Sequence, residues 1–459
     1  MENHDLRTRD VVVIGAGLTG LTTAFYARKR GHDVEIVEQA DRIGGQIHTH
    51  RVDDFIFESG PNTGVVSCPE VAELFNDLCP HCELEPARAS SKRRLIWKDG
   101  RFHPLPSGIG SALTTPLFTW NDKLRILGEP WRRKGTDPDE SVGALAARRL
   151  GQSYLDYAVD PFISGVYAGD PMALPTRLAL PKLYHLEQTY GSFIRGAIAK
   201  ARQPKTERDR LATKQVFSAR GGLQHLVDAL GQAIKPEHIS LGAKNVDIRP
   251  EEDHFCVQFT ADNGRMQVIR CAKVVTTCGA YALPRLLPFI DEAQLTAIST
   301  LKYASIVQIG VGIARVAGPR YAAFGGLVPS REQQNVLGIL FPSACFEGRS
   351  PADGAVFSFF IGGVHHPEYI EMSDDRLQTI AEEALHTMLK YPADTPIDAI
   401  RIYRHPQAIP QYELTTDARL ASINAVQHQF PGLIIAGNLR DGIGMAHRIK
   451  QGTDIGTSI

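Results

Sequence analysis

The sequence predicts an α/β protein in which a parallel-sheet domain is interrupted by a mixed-sheet domain and an inserted helical lobe. Three observations predict it. Near the start, the apolar run in "VVVIGAGLTG" leads straight into a glycine-rich turn. Near the end, "PGLIIAGNLRDGIGMAHRIKQG" repeats the order of apolar strand, glycines and helix. Between them the pattern changes from mixed charged and apolar residues at helical spacing to recurring short strands.

The elements follow in order. Val11 to Ile14 reads as a buried parallel strand. Gly15, Gly17 and Gly20 then fit G-x-G-x-x-G. The first glycine permits a tight turn, the second lets a pyrophosphate approach the backbone, and the third lets the helix pack closely on the strand. Thr22 to Arg30 is helix-compatible, and Gly31 can end that helix. A second strand, Val34 to Val37, ends at Glu38, where an acid accepts hydrogen bonds from a ribose. A lone glycine fingerprint is weak. Strand, glycines, helix, strand and terminal acid in that order specify a Rossmann-like dinucleotide-binding unit, whose helix N-terminus offers free N–H groups to phosphates.

Bulk properties exclude other classes. A length of 459 residues allows two or three domains, and 43% hydrophobic with 22% charged residues suits an ordinary globular protein. With 50 Lys and Arg against 51 Asp and Glu, nothing in the charge favours nucleic acid. The seven cysteines are scattered and odd in number, so a reducing compartment is expected. Cys79 and Cys82 have C-x-x-C spacing without a second pair, and read as ordinary thiols. Charged residues fill the first ten positions, so no signal peptide is expected there. Val11 to Ala27 is free of charge but shorter than the roughly 20 residues of a membrane span. His365 and His366 adjoin the "FIGG" segment, and since neighbouring residues on a strand point to opposite faces they make a poor chelating pair. No Ser/His/Asp constellation or metal cluster stands out.

The segment after Glu38 narrows the dinucleotide. "EQADRIGGQ" sets Arg42 and Gly44-Gly45 just past the second strand. This arrangement resembles the FAD-binding flavoproteins that include amine oxidases, phytoene desaturases and protoporphyrinogen oxidases, in which R-x-G-G lies along the cofactor. "FESGPNT" is similar to that superfamily's segment beneath the isoalloxazine, and the closing segment to its strand returning to the flavin. The resemblance implies FAD as cofactor. Its contacts carry over to the glycine turn (Gly15, Ala16, Gly17, Leu18, Thr19 and Gly20), to Glu38 and Gln39, and to Arg42, Gly45 and Gln46. They carry over also to Gly60, Pro61, Asn62 and Thr63, to Val246 at the adenine, and to Asn438, Ile443, Gly444 and Met445. The chain stops at Ile459, so the superfamily's usual final turns are expected to be missing.

The rest organises around this site. "ARGGLQHLVDALGQAI" has helical spacing, and "KNVDIRP", "HFCVQFT", "MQVIRC" and "KVVTTC" read as short strands, with Asp262-Asn263-Gly264 as a hairpin turn. The expected division is a FAD-binding domain of residues 1–90, 215–285 and 411–459; a substrate-binding domain of 91–114 and 286–410; and a helical lobe of 115–214. Trp131 to Pro138 reads as an exposed loop. Arg202 to Arg210 has almost no apolar residues and is expected to be disordered.

Within the superfamily, "VDPFISGVYAGDP", "YHLEQTYGSFIRGAI", "GLVPSREQ", "GILFPSACF", "FIGG" and "AIPQY" resemble the protoporphyrinogen oxidases in family order over nearly the whole chain. That resemblance implies oxygen-dependent six-electron oxidation of protoporphyrinogen IX to protoporphyrin IX in heme biosynthesis. Hydrides pass successively to FAD, and hydrogen peroxide forms. The flavin does the hydride chemistry, so no catalytic side chain is assigned. Arg94, with Arg93 as the near alternative, matches a propionate-binding arginine. Leu327 and Leu340 match leucines that sandwich a ring, Phe360 the aromatic opposite, and Gly169 a backbone bordering the reacting carbon. The resemblance also implies a cytoplasmic location, peripheral on the inner face of the cell membrane through the helical lobe, and a homodimer as the candidate assembly. After Tyr412 the chain reads "ELTTD" where many family members continue toward a histidine. Coproporphyrinogen III stays open as substrate, as does another superfamily oxidase acting on amines or carotenoids. A flavin-free prenyl-binding escort is the non-enzymatic rival, and Arg42 to Gly45 with the Asn438 segment counts against it.

Overall fold

In the computed structural model, which describes residues 5–459, the strand Asp5–Ile14 lies inside a seven-stranded sheet. The expected cofactor domain begins with four residues that lie outside the described ones. Val11, Val12 and Val13 are completely buried, as a central parallel strand requires. Val34–Val37 pairs parallel on one side and Met266–Thr276 on the other. Leu433–Ile435 adds in parallel to Met266–Thr276, so the chain's two ends meet in one sheet. Phe255–Thr260 and Lys244–Pro250 extend the sheet antiparallel. The segments "MQVIRC" and "KVVTTC", expected as two strands, form one, Met266–Thr276. No turn-forming residue separates them.

The first helix, Leu18–Lys29, starts earlier than its composition indicates, because Gly17 in extended conformation serves as its N-cap. The closing helix, Met445–Ser458, runs parallel to it. Gly452 approaches the carbonyl of Thr19, and Gly456 that of Thr23, so closely that a Cβ at either would meet backbone. Both helices therefore aim their N-termini the same way.

The second seven-stranded sheet runs Ala399–Pro410, Tyr303–Ile313, Ala355–Gly362, Gly338–Leu340, Gly325–Leu327, Arg94–Lys98, Arg101–Pro104. It is mixed, since Gly325–Leu327 runs parallel to Arg94–Lys98. Helix Asp374–Thr387 covers one face, burying Leu377, Ile380, Ala381 and Leu385. On the other face Gly310 and Gly312 leave room for the rings of Phe57 and Phe55. This packing seats the hairpin strand Phe55–Ser59 on the second sheet and fixes where residues 60–63 emerge. Leu287, Ile290, Leu295, Ile298 and Leu301, expected in the substrate domain, instead pack into the core of the first sheet.

Residues between 105 and 214 are helical where they are regular. A buried ion pair ties this lobe together: Arg149, fully buried, donates to Glu129 at 2.5 Å and Glu187 at 2.6 Å. The expected disorder at Arg202–Arg210 is corrected. Glu207–Arg210 forms a helical turn capped by Thr206, and Arg208 pairs with Glu70 at 3.0 Å and Glu73 at 2.6 Å. The charges that keep this segment out of a core give it ionic partners. Among the described residues no helix is long and apolar enough to cross a membrane.

Candidate active site

A cavity of about 1150 Å³ lies between the two sheets. Its first end is built by the glycine turn. Gly15 has φ +105°, open to glycine but strained for other residues. The Glu38 carboxylate is fixed by the amides of Ala16 at 2.6 Å and Ala40 at 2.8 Å. A Cβ on Gly17 would meet no protein atom within 4 Å. The space beside this helix N-terminus is thus open to a ligand. The second glycine pair backs it: Gly44 donates to the Ala16 carbonyl at 2.8 Å, and Gly45 sits against the Gly17 Cα. Arg42 binds the carbonyls of Ile43, Gly45 and Ile47, which folds this loop into shape.

The middle is held by buried amides. The Gly60 N–H donates to Gln308 Oε1 at 2.9 Å, and Gln308 Nε2 donates to the Glu58 carbonyl at 2.6 Å. Asn62 Nδ2 donates back to the Gly60 carbonyl, while Ser358 donates to Asn62 Oδ1. On the facing side Tyr303 donates to Asn438 Oδ1 at 3.3 Å, and Tyr412 to the Asn438 carbonyl at 2.7 Å. Ile443, Gly444 and Met445 bring the closing helix's N-terminus to the wall. One turn further in, Arg448 donates to Gln451 and to the Arg440 carbonyl, and its buried Nε has no partner. Burial lowers its pKa, the mark of a cation in dry surroundings.

The other end is a mostly apolar chamber lined by Gly165, Val166, Ala168, Ile306, Leu337, Phe360, Ala408 and Ile409, with His405 and Gln407. Among the described residues no cluster of His, Cys, Asp and Glu could hold a metal ion.

These features fit a dinucleotide: an acid at the ribose position, open space at a helix N-terminus, a second helix N-terminus, and an unpartnered guanidinium N–H. The family model for flavin containing amine oxidoreductases matches residues 18–446. The chain belongs to the flavin containing amine oxidoreductase family. It is 30% identical to a protoporphyrinogen oxidase of Bos taurus, over 97% of each chain. It is 28% identical to protoporphyrinogen oxidase 2 of Arabidopsis thaliana, over 96% of this chain and 92% of that one. A crystal structure from Exiguobacterium sp. 255-15 has the same fold, with a TM-score of 0.81, 22% identity and 98% coverage of both chains.

As expected for a flavin oxidoreductase of this family, the cofactor is FAD. Of the residues expected to hold it, Gly15, Gly17, Leu18, Thr19, Glu38, Gln39, Gly45, Gln46, Gly60, Pro61, Thr63, Val246, Asn438, Ile443, Gly444 and Met445 line the cavity. Ala16, Gly20, Arg42 and Asn62 stand behind that wall. Ala16 fixes Glu38, Gly20 packs on the Gly15 carbonyl, and Arg42 and Asn62 brace the backbone.

Among the expected substrate contacts, Phe360 is on the wall and four are not. Arg94 is exposed and lies over the Phe324 ring, 5.3 Å from its centroid. Leu327 sits one layer out, its methyl groups against Gly165. Leu340 packs beside Gly325, and Leu337 takes the wall position instead. Gly169 is buried against the Gln411 amide, and its neighbour Ala168, at φ +51°, faces the chamber.

Gln308, Tyr303, His405 and Arg448 escaped the sequence reading. Gln308 left a signal, an amide inside the apolar strand "SIVQIGVGI". Pairing register alone brings His405 to the wall.

Proposed function

We propose that this flavin oxidoreductase oxidises protoporphyrinogen IX to protoporphyrin IX in heme biosynthesis, with oxygen as terminal acceptor and hydrogen peroxide as by-product. One observation carries the reading: a single cavity runs from the FAD-holding turns into an apolar chamber, in a chain whose near full-length relatives bear the name protoporphyrinogen oxidase. A porphyrinogen is a wide apolar macrocycle, and aliphatic walls with one aromatic suit it. When bound, FAD would supply the hydride-accepting ring for a net loss of six hydrogens from the substrate. The protein's part is to hold and orient. Glu38 takes the ribose end, Gly17 and the first helix the pyrophosphate, and Gly60 to Thr63 and the closing helix the ring.

The helical lobe supports a peripheral membrane contact. Helix Trp120–Leu127 has no buried residue, and Trp120, Leu124 and Leu127 expose one apolar stripe that continues to Trp131. Arg125, Arg132, Arg133 and Lys134 lie close by in sequence. Apolar side chains beside basic ones suit an anionic lipid surface. This agrees with a cytoplasmic enzyme on the inner face of the cell membrane. Sedimentation velocity of the holoprotein checks the expected homodimer.

The deciding experiment follows porphyrin fluorescence after protoporphyrinogen or coproporphyrinogen is added, separately, to air-saturated holoprotein, corrected for spontaneous oxidation. Faster product from protoporphyrinogen supports the reading. Preference for coproporphyrinogen moves the assignment to that substrate. No enzymatic increase with either sinks both.

A further inference from the structure

We infer that His405 is a catalytic residue, the proton acceptor of the chamber; the inference rests on the porphyrinogen reading above. Sheet register places it. His405 pairs with Ile306, and Ile306 with Gly362. Two residues along, Tyr403 pairs with Gln308 and Gln308 with Phe360. Residues paired across antiparallel strands share a face, as do residues two apart. His405, Ile306, Gln308 and Phe360 therefore stand on one face, and all four line the cavity.

The strand is broken at this point. His405 pairs with Ile306 and Ile409 with Ala304, so Pro406, Gln407 and Ala408 oppose the single residue Ser305. Pro406 lacks the N–H that a regular ladder needs. Such bulges re-aim side chains beside active sites. Gln46, from the FAD-holding loop, donates to the carbonyls of Gln407 and Ala408, which ties the bulge to the cofactor site.

The chemistry requires a base. In each two-electron step a methylene C–H bond breaks and its electron pair leaves with the hydrogen to the flavin. One proton must also leave the macrocycle per step. Two of the three come from pyrrole N–H groups and the third from the last methylene carbon by tautomerisation, since the porphyrin keeps two N–H groups. The pair of each broken bond stays in the new conjugated system, and the proton must go to an acceptor. Other titratable groups on the wall are engaged or of the wrong kind, the Tyr281 phenol being kept protonated by burial. Glu38 accepts two backbone N–H groups, Tyr303 is bonded to Ala280 and Asn438, and Arg285 to Asn245. Lys244 stands with Asn245 and Val246 at the adenine end, and Arg448 is a cation. Cys278 is pushed up to about 12 by burial.

His405 has no such engagement. Its Nε2 is buried without a hydrogen-bond partner. Burial alone lowers its pKa, so at neutral pH the imidazole is neutral, with a free lone pair to accept a proton. On its own face the titratable neighbours are Tyr403 and, with its ring centroid 4.8 Å from that of Tyr403, His50. The turn Pro367–Glu371, with Glu368 and Glu371, packs on the opposite face, where Arg404 donates to the Ile370 carbonyl and Ser305 to that of Pro367. No charge sits on the chamber side among Gly165, Val166, Ala168 and Leu337.

The test is anaerobic stopped-flow reduction of the bound flavin by protoporphyrinogen across pH, with His405→Gln and His405→Ala holoenzymes. Wild type is expected to lose rate as pH falls through the lowered imidazole pKa. His405→Gln should be slower by about 100-fold and lose that acid limb. His405→Ala should regain rate with added imidazole. FAD content and thermal midpoint of both should match wild type. A His405→Gln enzyme with wild-type rate and pH profile overturns the inference. So does a slow one that keeps the acid limb with no imidazole rescue, because that is a packing role. A wild-type holoenzyme whose flavin protoporphyrinogen does not reduce refutes the substrate reading, and this inference falls with it.

Discussion

Gly17 and Gly20 lie in one turn yet make opposite demands on a side chain. Gly17 has ordinary extended torsions and open space over its Cα, whereas a Cβ on Gly20 would run into the Gly15 carbonyl. Gly17→Val should cost the apo fold no more than about 1 kcal/mol, as a poorer N-cap, and abolish FAD binding. Gly20→Ala should lower stability by roughly 1–3 kcal/mol through overpacking. Apo thermal melts and flavin absorbance after reconstitution separate the two; a Gly17→Val protein with full FAD contradicts the assigned pyrophosphate position. Glu58 is the second sensitive residue. Its carboxylate accepts from the Leu223 amide and the Thr49 hydroxyl, and burial still outweighs these donors and raises its pKa to about 7. A carboxyl raised in the folded state stabilises the fold when protonated, below the ordinary carboxylate range, and that stability is lost as pH rises toward about 7. The loss should be of the order of 3 kcal/mol in chemical denaturation, and Glu58→Gln should flatten it. An unchanged slope in that variant would place the pH dependence elsewhere.

At the scale of elements, function turns on how regular structure is broken or left unpaired. The glycines Gly310 and Gly312 weaken a strand locally, and the rings of Phe57 and Phe55 fill the gap, which aligns the hairpin leading to Gly60 with the chamber. The bulge at Pro406 to Ala408 turns a sheet edge into a cavity wall. The helix Trp120–Leu127 packs nothing on its apolar stripe. If that stripe meets lipid, Trp120→Glu with Leu124→Glu should abolish co-sedimentation with anionic vesicles. Both side chains are more than 60% exposed (65% and 62%), so the soluble fold should keep its melting point. Full binding by the double variant would exclude this helix as the contact.

At the scale of the molecule, the cavity proposed for FAD is assembled from segments far apart in the chain: the first turn, the strand ending at Thr276, and the closing helix. A ligand that binds only this assembled state stabilises all of it. FAD at about 1000 times its Kd should add about 4 kcal/mol, read as a rise in melting temperature that depends on FAD concentration. A melting point indifferent to FAD would mean that the site is not closed by both chain ends. Features that depend on neighbours in the chain were legible in the sequence. The glycine turn and its acid, the R-x-G-G loop, the Gly60 to Thr63 segment, the strand bearing Val246 and the closing strand and helix are local patterns, and sixteen residues read from them line the cavity. Motif likeness also identified the segments near the chamber, but which side chain faces inward was decided by packing. Ala168 faces it rather than Gly169, Leu337 rather than Leu340, and Arg94 turns to solvent. Likewise Gln308 and His405 reach one face through strand register, and Arg208 is ordered by carboxylates on another helix. Tertiary structure decided these because a strand's facing direction and an ion's partner are set by contacts distant in sequence, which no local pattern records.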